Sequence, residues 1–283
     1  MTVAEAIADT TKRLRQAGCS SPRVDSERLV ENAVRTPRTA LYAEPERRLT
    51  TREHEVLTGG VERRCRREPL AYILGEWRFR QLTLQVTPAV LIPRPETELL
   101  VERCLEHLLE RDQPTVIDIG TGSGAIALSI ASEFPGAQIT AVDKSNAALA
   151  IAKTNAHALE LEHRVCFVEG DLFADVSGPF DLVVSNPPYV LAEDYAALQP
   201  EILDHEPREA LVGAGFHERI ADQALHRLRL GGWLLMECGE REAQRIGLEL
   251  EQLPGYESVD VVNDLSGRPR FVEASRDDRK LQL

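Results

Sequence analysis

The sequence predicts an α/β protein: a doubly wound sheet with helices on both faces, preceded by a small helical bundle and a short hairpin. Three observations carry this. Short apolar runs at 115–119, 139–142, 165–169 and 180–185 read as buried strands, with helical patterns between them. The first runs into Gly120-Thr121-Gly122-Ser123-Gly124 and the last into Asn186-Pro187-Pro188-Tyr189, so chemistry-bearing residues gather at strand ends. Upstream, residues 1–74 carry helical spacing and helix-start signals.

In chain order, Val3, Ile7, Leu14 and Ala17 fall at helical spacing. Ser21-Pro22 and Thr36-Pro37 each place a capping oxygen before an N1 proline, and Thr50-x-x-Glu53 is a capping box. These features define an N-terminal helical domain over residues 1–74. Trp77, Phe79, Leu82, Leu84 and Val86 then predict a hairpin within a linking segment, 75–92. Residues 93–283 form the α/β domain, which closes with a strand at Trp233–Met236 and an antiparallel pair near 258–262 and 270–273.

Strand, glycine turn and helix, as in 115–131, make a nucleotide-binding element. Glycines permit a tight turn and close backbone approach by a ligand, and a helix N-terminus supplies unpaired N–H groups. Gly120, Gly122 and Ala125 also fit the dinucleotide pattern G-x-G-x-x-G/A, so NAD and S-adenosylmethionine both stay open at this point. About 20 residues on, Asp143 ends the next strand, placed for the hydroxyls of a ribose, which both ligands carry. Asp171 and Leu172 follow the third strand, where an acid can meet an adenine amino group and an apolar side chain can pack on its ring. A turn or capping aspartate is the plainer reading of Asp171.

Asn186-Pro187-Pro188-Tyr189 has the chemistry of a clamp for a planar –NH2 group. The prolines lack N–H groups and have fixed φ, which keeps the backbone from curling into a helix and leaves carbonyls as free acceptors. The Asn186 side-chain oxygen and the Pro187 carbonyl can take one N–H each, and Tyr189 offers a flat face. A strand-terminating turn is the plainer alternative.

Composition narrows the function classes. The chain carries a net charge of −13, with +4 on residues 1–80 and −17 on the rest. An acidic catalytic part repels phosphate backbones, which disfavours wholesale nucleic-acid binding. The arginines at 63, 64, 66 and 67 read as a solvated helix face or a contact for an acidic partner. Five cysteines (19, 65, 104, 166, 238) show no metal or redox spacing and suit a reducing cytoplasm. No apolar run is long enough to cross a bilayer, and charged residues in the first twenty positions exclude a signal peptide. The expectation is a soluble, cytoplasmic, two-domain protein without a metal.

The chain resembles the PrmC/HemK family of protein glutamine-N5 methyltransferases. The resemblance rests on Val90-Leu91-Ile92-Pro93-Arg94-Pro95-Glu96-Thr97-Glu98, Asp118 to Gly124, Asp171 to Phe173 and Ser185 to Tyr189. It extends to Glu206-Pro207-Arg208-Glu209-Ala210-Leu211 and Asp264-Leu265-Ser266-Gly267-Arg268-Pro269-Arg270. It implies a class I methyltransferase fold, Rossmann-like, with a seven-stranded doubly wound sheet ending in a hairpin. The implied methyl donor is S-adenosyl-L-methionine, leaving S-adenosyl-L-homocysteine. It would be held by Asp118, Gly120, Thr121, Gly122, Ser123, Gly124, Asp143, Asp171, Leu172 and Asn186. Asn186, Pro187 and Tyr189 become the catalytic group, and Pro188, Arg94, Glu96 and Thr97 join them at the substrate. Arg94-Pro95 also reads as a rigid linker ending in a helix cap near Thr97.

The implied substrate is the glutamine of the Gly-Gly-Gln loop in class-1 peptide chain release factors, bound by a monomer whose helical domain serves the large partner. Two departures stand out: Leu211 to Phe216 differs from the usual double-glycine form, and Leu172 stands where some relatives carry tryptophan. Alternatives are glutamine methylation of a ribosomal protein, adenine-N6 methylation of nucleic acid, and a non-enzymatic binding protein on the same scaffold.

Overall fold

The computed structural model describes residues 1–277, which divide into two compact units: Met1–Glu76 with Leu198–His205, and Trp77–Ala197 with the chain from Glu206 onward. The first unit begins with α1 (Val3–Gln16), α2 (Pro22–Val34), α3 (Arg38–Ala43), α4 (Thr51–Cys65) and α5 (Leu70–Leu74). α1 and α4 each open on a reciprocal capping box, Thr2 with Glu5 and Thr50 with Glu53. The proline caps differ from expectation. Ser21 is the N-cap of α2, but its backbone (φ −125°, ψ 55°) does not aim the hydroxyl at the helix. Pro37 itself is the extended N-cap of α3, so Thr36 lies outside and the helix starts at Arg38. Val3, Ile7 and Leu14 meet Leu29, Val30, Leu57 and Val61 in the core of this unit.

The hairpin strands β1 (Glu76–Phe79), whose first residue closes the first unit, and β2 (Leu82–Gln85) open the second unit, followed by α6 (Pro95–Leu108), β3 (Thr115–Ile119), α7 (Ala125–Glu133), β4 (Gln138–Asp143), α8 (Asn146–Ala158), β5 (Val165–Glu169) and β6 (Phe180–Ser185). The chain then passes through α9 (Pro200–Leu203), part of the first unit, before α10 (Phe216–Leu225), β7 (Leu228–Glu237), α11 (Glu240–Gln252), β8 (Tyr256–Asn263) and β9 (Pro269–Arg276). The seven-stranded sheet has the order β5-β4-β3-β6-β7-β9-β8, with β9 antiparallel to both neighbours. The expected seven-stranded, doubly wound class I fold is present.

Alternation along the strands builds two cores. Val116, Leu182 and Val184 face one layer with Leu100, Val101 and Leu128. Ile117, Val183 and Leu234 face the other with Ile220, Ile246 and Tyr256. Strand order reverses between β3 and β6, and their register pairs Ile119 with Ser185. Ser185 Oγ donates to the Ile119 carbonyl at 2.7 Å, tying the two strand ends together. The glycine turn and the Asn-Pro-Pro-Tyr turn therefore emerge side by side, where open α/β sheets hold ligands.

Arg66 is exposed, but the rest of the arginine run at the end of α4 is not a solvated face. Arg64 is 4% exposed and donates to Asp25 (2.8 Å) and Glu201 (2.9 Å), while Arg67 also donates to Glu201 (2.6 Å). Burial acts to raise the Glu201 pKa, but hydrogen bonds from Arg67 and Arg64 bring it down to about 2. This cluster is why 198–205 folds with the helical unit. Among the described residues no helix is long and apolar enough to cross a membrane, no group of metal-ligating side chains forms, and all five cysteines are free thiols.

Candidate active site

The glycine turn is anchored by two acceptors at the end of β4. Gly120 and Thr121 donate backbone N–H groups to the Val142 carbonyl (2.8 and 2.9 Å), and the Asp143 carboxylate accepts from Gly122 N and Ser145 N at 2.9 Å each. The Gly122 N–H is thus paired with Asp143. Gly120 and Gly122 adopt φ of +73° and +57° with nothing within 4 Å of an added Cβ, leaving room for a ligand. Gly124 is different. At φ +84°, a Cβ there would lie 2.9 Å from Leu128 Cδ1, so this glycine serves the packing of α7 and lies outside the cleft lining.

Asp118 corrects the sequence reading of a direct ligand contact. It is fully buried beneath the turn and does not line the cleft. Its Oδ2 accepts from Thr121 Oγ1 (2.6 Å) and Ala127 N (3.2 Å), so it caps the start of α7 from the neighbouring strand. Its Oδ1 has no partner. Burial pushes the Asp118 pKa up to about 7 against the pull of those two hydrogen bonds.

One cleft collects Gly120, Thr121, Gly122, Ser123, Asp143, Asp171, Leu172, Asn186, Pro187, Pro188, Arg94 and Thr97. Leu172, at φ +57° and buried, forms an apolar wall together with Phe216 and Ile220. Asp171 is exposed and accepts from Arg219 at 2.8 Å. Arg94 reaches the cleft while donating to the buried Glu206 at 2.7 Å, and Glu206 also accepts from Ile92 N at 3.2 Å. The Pro93-to-Pro95 and Glu206-Pro207 segments are thereby fixed to each other. Arg94 is the N-cap of α6, which begins at Pro95, so Thr97 is inside the first turn and not its cap. Glu96 is exposed and is not among the residues that line the cleft.

At the end of β6, Asn186 and Pro187 present acceptors. Among the described residues, nothing donates to Asn186 Oδ1 or to the Pro187 carbonyl. The Asn186 Nδ2 donates to Thr97 Oγ1 at 3.1 Å. Tyr189 departs from its expected place: it does not line the cleft, and its hydroxyl donates to Glu237 Oε1 at 3.2 Å. Burial first, and then the neighbouring Glu237 charge, push the Tyr189 pKa above its ordinary value, so the phenol keeps its proton. Behind the turn, Val190 N donates to the Leu211 carbonyl at 2.8 Å, and a Cβ on Gly213 would lie 3.0 Å from Pro188 Cβ. Residues 211–213 therefore back the prolines.

Sequence reasoning missed Glu237, which ends the apolar strand Trp233–Met236 and is 1% exposed. A lone charge closing a buried strand beside β6 was the available signal. It also missed Phe216, which sits at the cleft with Lys144 Nζ 5.9 Å and Arg219 Cζ 5.5 Å from its ring centroid.

Comparison with known proteins matches the two parts of the chain separately. The Methyltransferase small domain family matches residues 96–216, and the PrmC N-terminal domain family matches residues 5–75. Release factor glutamine methyltransferase of Coxiella burnetii is 40% identical over 279 residues, spanning 95% of this chain and 99% of that protein. The protein of the same name from Koribacter versatilis is 40% identical across 96% of this chain and 98% of its own length. Among solved structures, a methyltransferase from Pyrococcus furiosus shares the fold with a TM-score of 0.51 and 20% identity, over 69% of this chain and 88% of that one.

Proposed function

Because the chain belongs to the release factor glutamine methyltransferase family, we propose that it methylates the glutamine of the Gly-Gly-Gln motif in class-1 peptide chain release factors. The methyl goes from S-adenosylmethionine to the side-chain amide nitrogen. The observation that carries the reading is the pair of undonated acceptors, Asn186 Oδ1 and the Pro187 carbonyl, at the cleft. Their number matches the two N–H groups of one primary amide. The acidic balance of the chain beyond residue 80 supports a protein substrate over nucleic acid. Free, widely spaced thiols fit a cytoplasmic setting.

The residues present fit the methyl donor. Open space over Gly120 and Gly122, spare lone pairs on Asp143, and an apolar wall of Leu172, Phe216 and Ile220 suit phosphate-free sugar and adenine surfaces. When bound, S-adenosylmethionine supplies an electrophilic sulfonium methyl. Asp143 would hold the ribose hydroxyls and Asp171 the adenine amino group.

An amide nitrogen is a poor nucleophile because its lone pair is delocalised into the carbonyl. Asn186 Oδ1 and the Pro187 carbonyl each accept one N–H, which fixes the nitrogen in line and favours a pyramidal geometry. Once methylated, the nitrogen held by these two acceptors would be acidic, and its proton would leave to water. No strong base is required. Pro188, Arg94 and Thr97 shape the cleft around the glutamine, and Tyr189 anchors the clamp through its hydroxyl. The helical domain, 1–74, is the part proposed to dock the release factor, with the hairpin segment 75–92 leading into the catalytic domain, 93–283.

The test is turnover of Asn186→Ala. The expected result is a loss of about 10²–10³ in kcat with cofactor affinity unchanged, as for removal of a positioned transition-state hydrogen bond. Retained turnover overturns the clamp.

A further inference from the structure

We propose that Glu237 is a positioning residue of the clamp, setting through the Thr97 hydroxyl which end of the Asn186 carboxamide faces the substrate. The inference rests on the reading of Asn186 as an acceptor. Three polar groups run in series behind the cleft: Asn186 Nδ2 donates to Thr97 Oγ1 (3.1 Å), and Thr97 Oγ1 donates to Glu237 Oε2 (2.6 Å). Tyr189 donates to the other carboxylate oxygen at 3.2 Å. Thr97 and Glu237 are 4% and 1% exposed, so water does not compete for these bonds.

The logic is proton counting. The two ends of a carboxamide have nearly the same shape, so packing alone does not choose between them; hydrogen bonding does. A hydroxyl owns one proton. An ionised carboxylate only accepts, so the Thr97 O–H is committed to Glu237 and Thr97 can offer Asn186 only its lone pairs. Only the nitrogen end of Asn186 can satisfy those, which turns Oδ1 toward the cleft as an acceptor. With a neutral Glu237 the series reverses. The carboxyl would donate to Thr97, Thr97 would donate to Oδ1, and the flipped amide would present N–H groups to a substrate N–H. The same polarity tells an amide from a carboxylate, since two acceptors repel a glutamate side chain.

Several groups bear on the charge of Glu237. Burial raises its pKa above the ordinary carboxylate value; hydrogen bonds from Thr97 on α6 and Tyr189 after β6 and the charge of Arg270 on β9 reduce that rise without reversing it, and the Glu96 charge on α6 adds to it. His217 from α10 meets only the Glu237 backbone carbonyl, at 2.9 Å.

The test uses full-length Thr97→Val, Thr97→Ser, Glu237→Gln and Asn186→Ala. Substrate is a release factor with its native glutamine; the inhibitor is the same factor with that glutamine changed to glutamate. Thr97→Val is expected to lower kcat about 10–100-fold, the scale of a misplaced reacting group, with cofactor affinity unchanged. The glutamate form should inhibit it about tenfold more tightly than it inhibits the parent enzyme, because the freed Asn186 can turn N–H groups outward. Thr97→Ser should restore both values to within about threefold. Glu237→Gln can still set its amide oxygen against the Thr97 hydroxyl, so it is expected to fall between the parent and Thr97→Val, and the Thr97 pair decides. Parent-like kcat and an unchanged glutamate response in Thr97→Val overturn the proposal, as does a loss that serine fails to rescue. An inactive Asn186→Ala beside a normal Thr97→Val removes only the positioning role, whereas an active Asn186→Ala removes the clamp itself.

Discussion

Asp118→Asn should make the protein progressively more stable than its parent as pH rises from 5 to 7. In the parent, Thr121 Oγ1 and Ala127 N both bond one oxygen of Asp118, and the other oxygen is buried without a partner. An asparagine with its oxygen at the first position keeps both bonds and removes the buried charge. The Asp118 pKa rises from 3.8 to about 7, chiefly through burial. Between those values the native chain holds a proton that the unfolded chain has lost, so stability falls with rising pH. Near 1.4 kcal/mol per pKa unit, the full penalty approaches about 4 kcal/mol above pH 7, of which about 2 kcal/mol develops between pH 5 and 7. Urea unfolding of both proteins across this range measures the difference directly. A difference flat to within about 0.5 kcal/mol would refute the assignment of a protonated, loop-capping Asp118.

Three further outcomes follow from the geometry. Gly124→Ala forces a left-handed alanine whose Cβ meets Leu128 Cδ1 at 2.9 Å; a loss of about 2–5 kcal/mol in urea unfolding is expected, and a loss under about 1 kcal/mol would contradict the packing role. Arg64→Leu leaves Asp25 without its buried partner and strips one of two from Glu201; it should cost about 3–5 kcal/mol of the helical unit's stability, read by thermal melting. Asp143→Ala should weaken S-adenosylmethionine binding by about 1.5–3 kcal/mol in calorimetry, and an unchanged dissociation constant would remove Asp143 from the ribose site.

The sheet was legible because its parallel strands are buried on both faces and read as continuous apolar runs. The strands expected at 115–119, 165–169 and 180–185 have those same bounds in the structure. The glycine turn and Asn-Pro-Pro-Tyr were legible because their backbone constraints are written in residue type. The roles of Asp118, Tyr189 and Thr97 were not, since each depends on a side chain brought in by another strand or helix. Asp118 caps a helix across the turn, Tyr189 reaches Glu237 on β7, and Thr97 joins Asn186 to that carboxylate. Likewise, no local pattern told that Arg64 would be buried against Glu201, 137 residues away.

The measurement closest to the central claim is methyl transfer from labelled S-adenosylmethionine to a purified class-1 release factor, with the Gly-Gly-Gln glutamine intact or changed to alanine, and the site mapped by peptide mass spectrometry. Label on that glutamine, absent from the alanine form, is the predicted result. Label elsewhere, or none while the methyl donor still binds, would contradict the assignment of substrate.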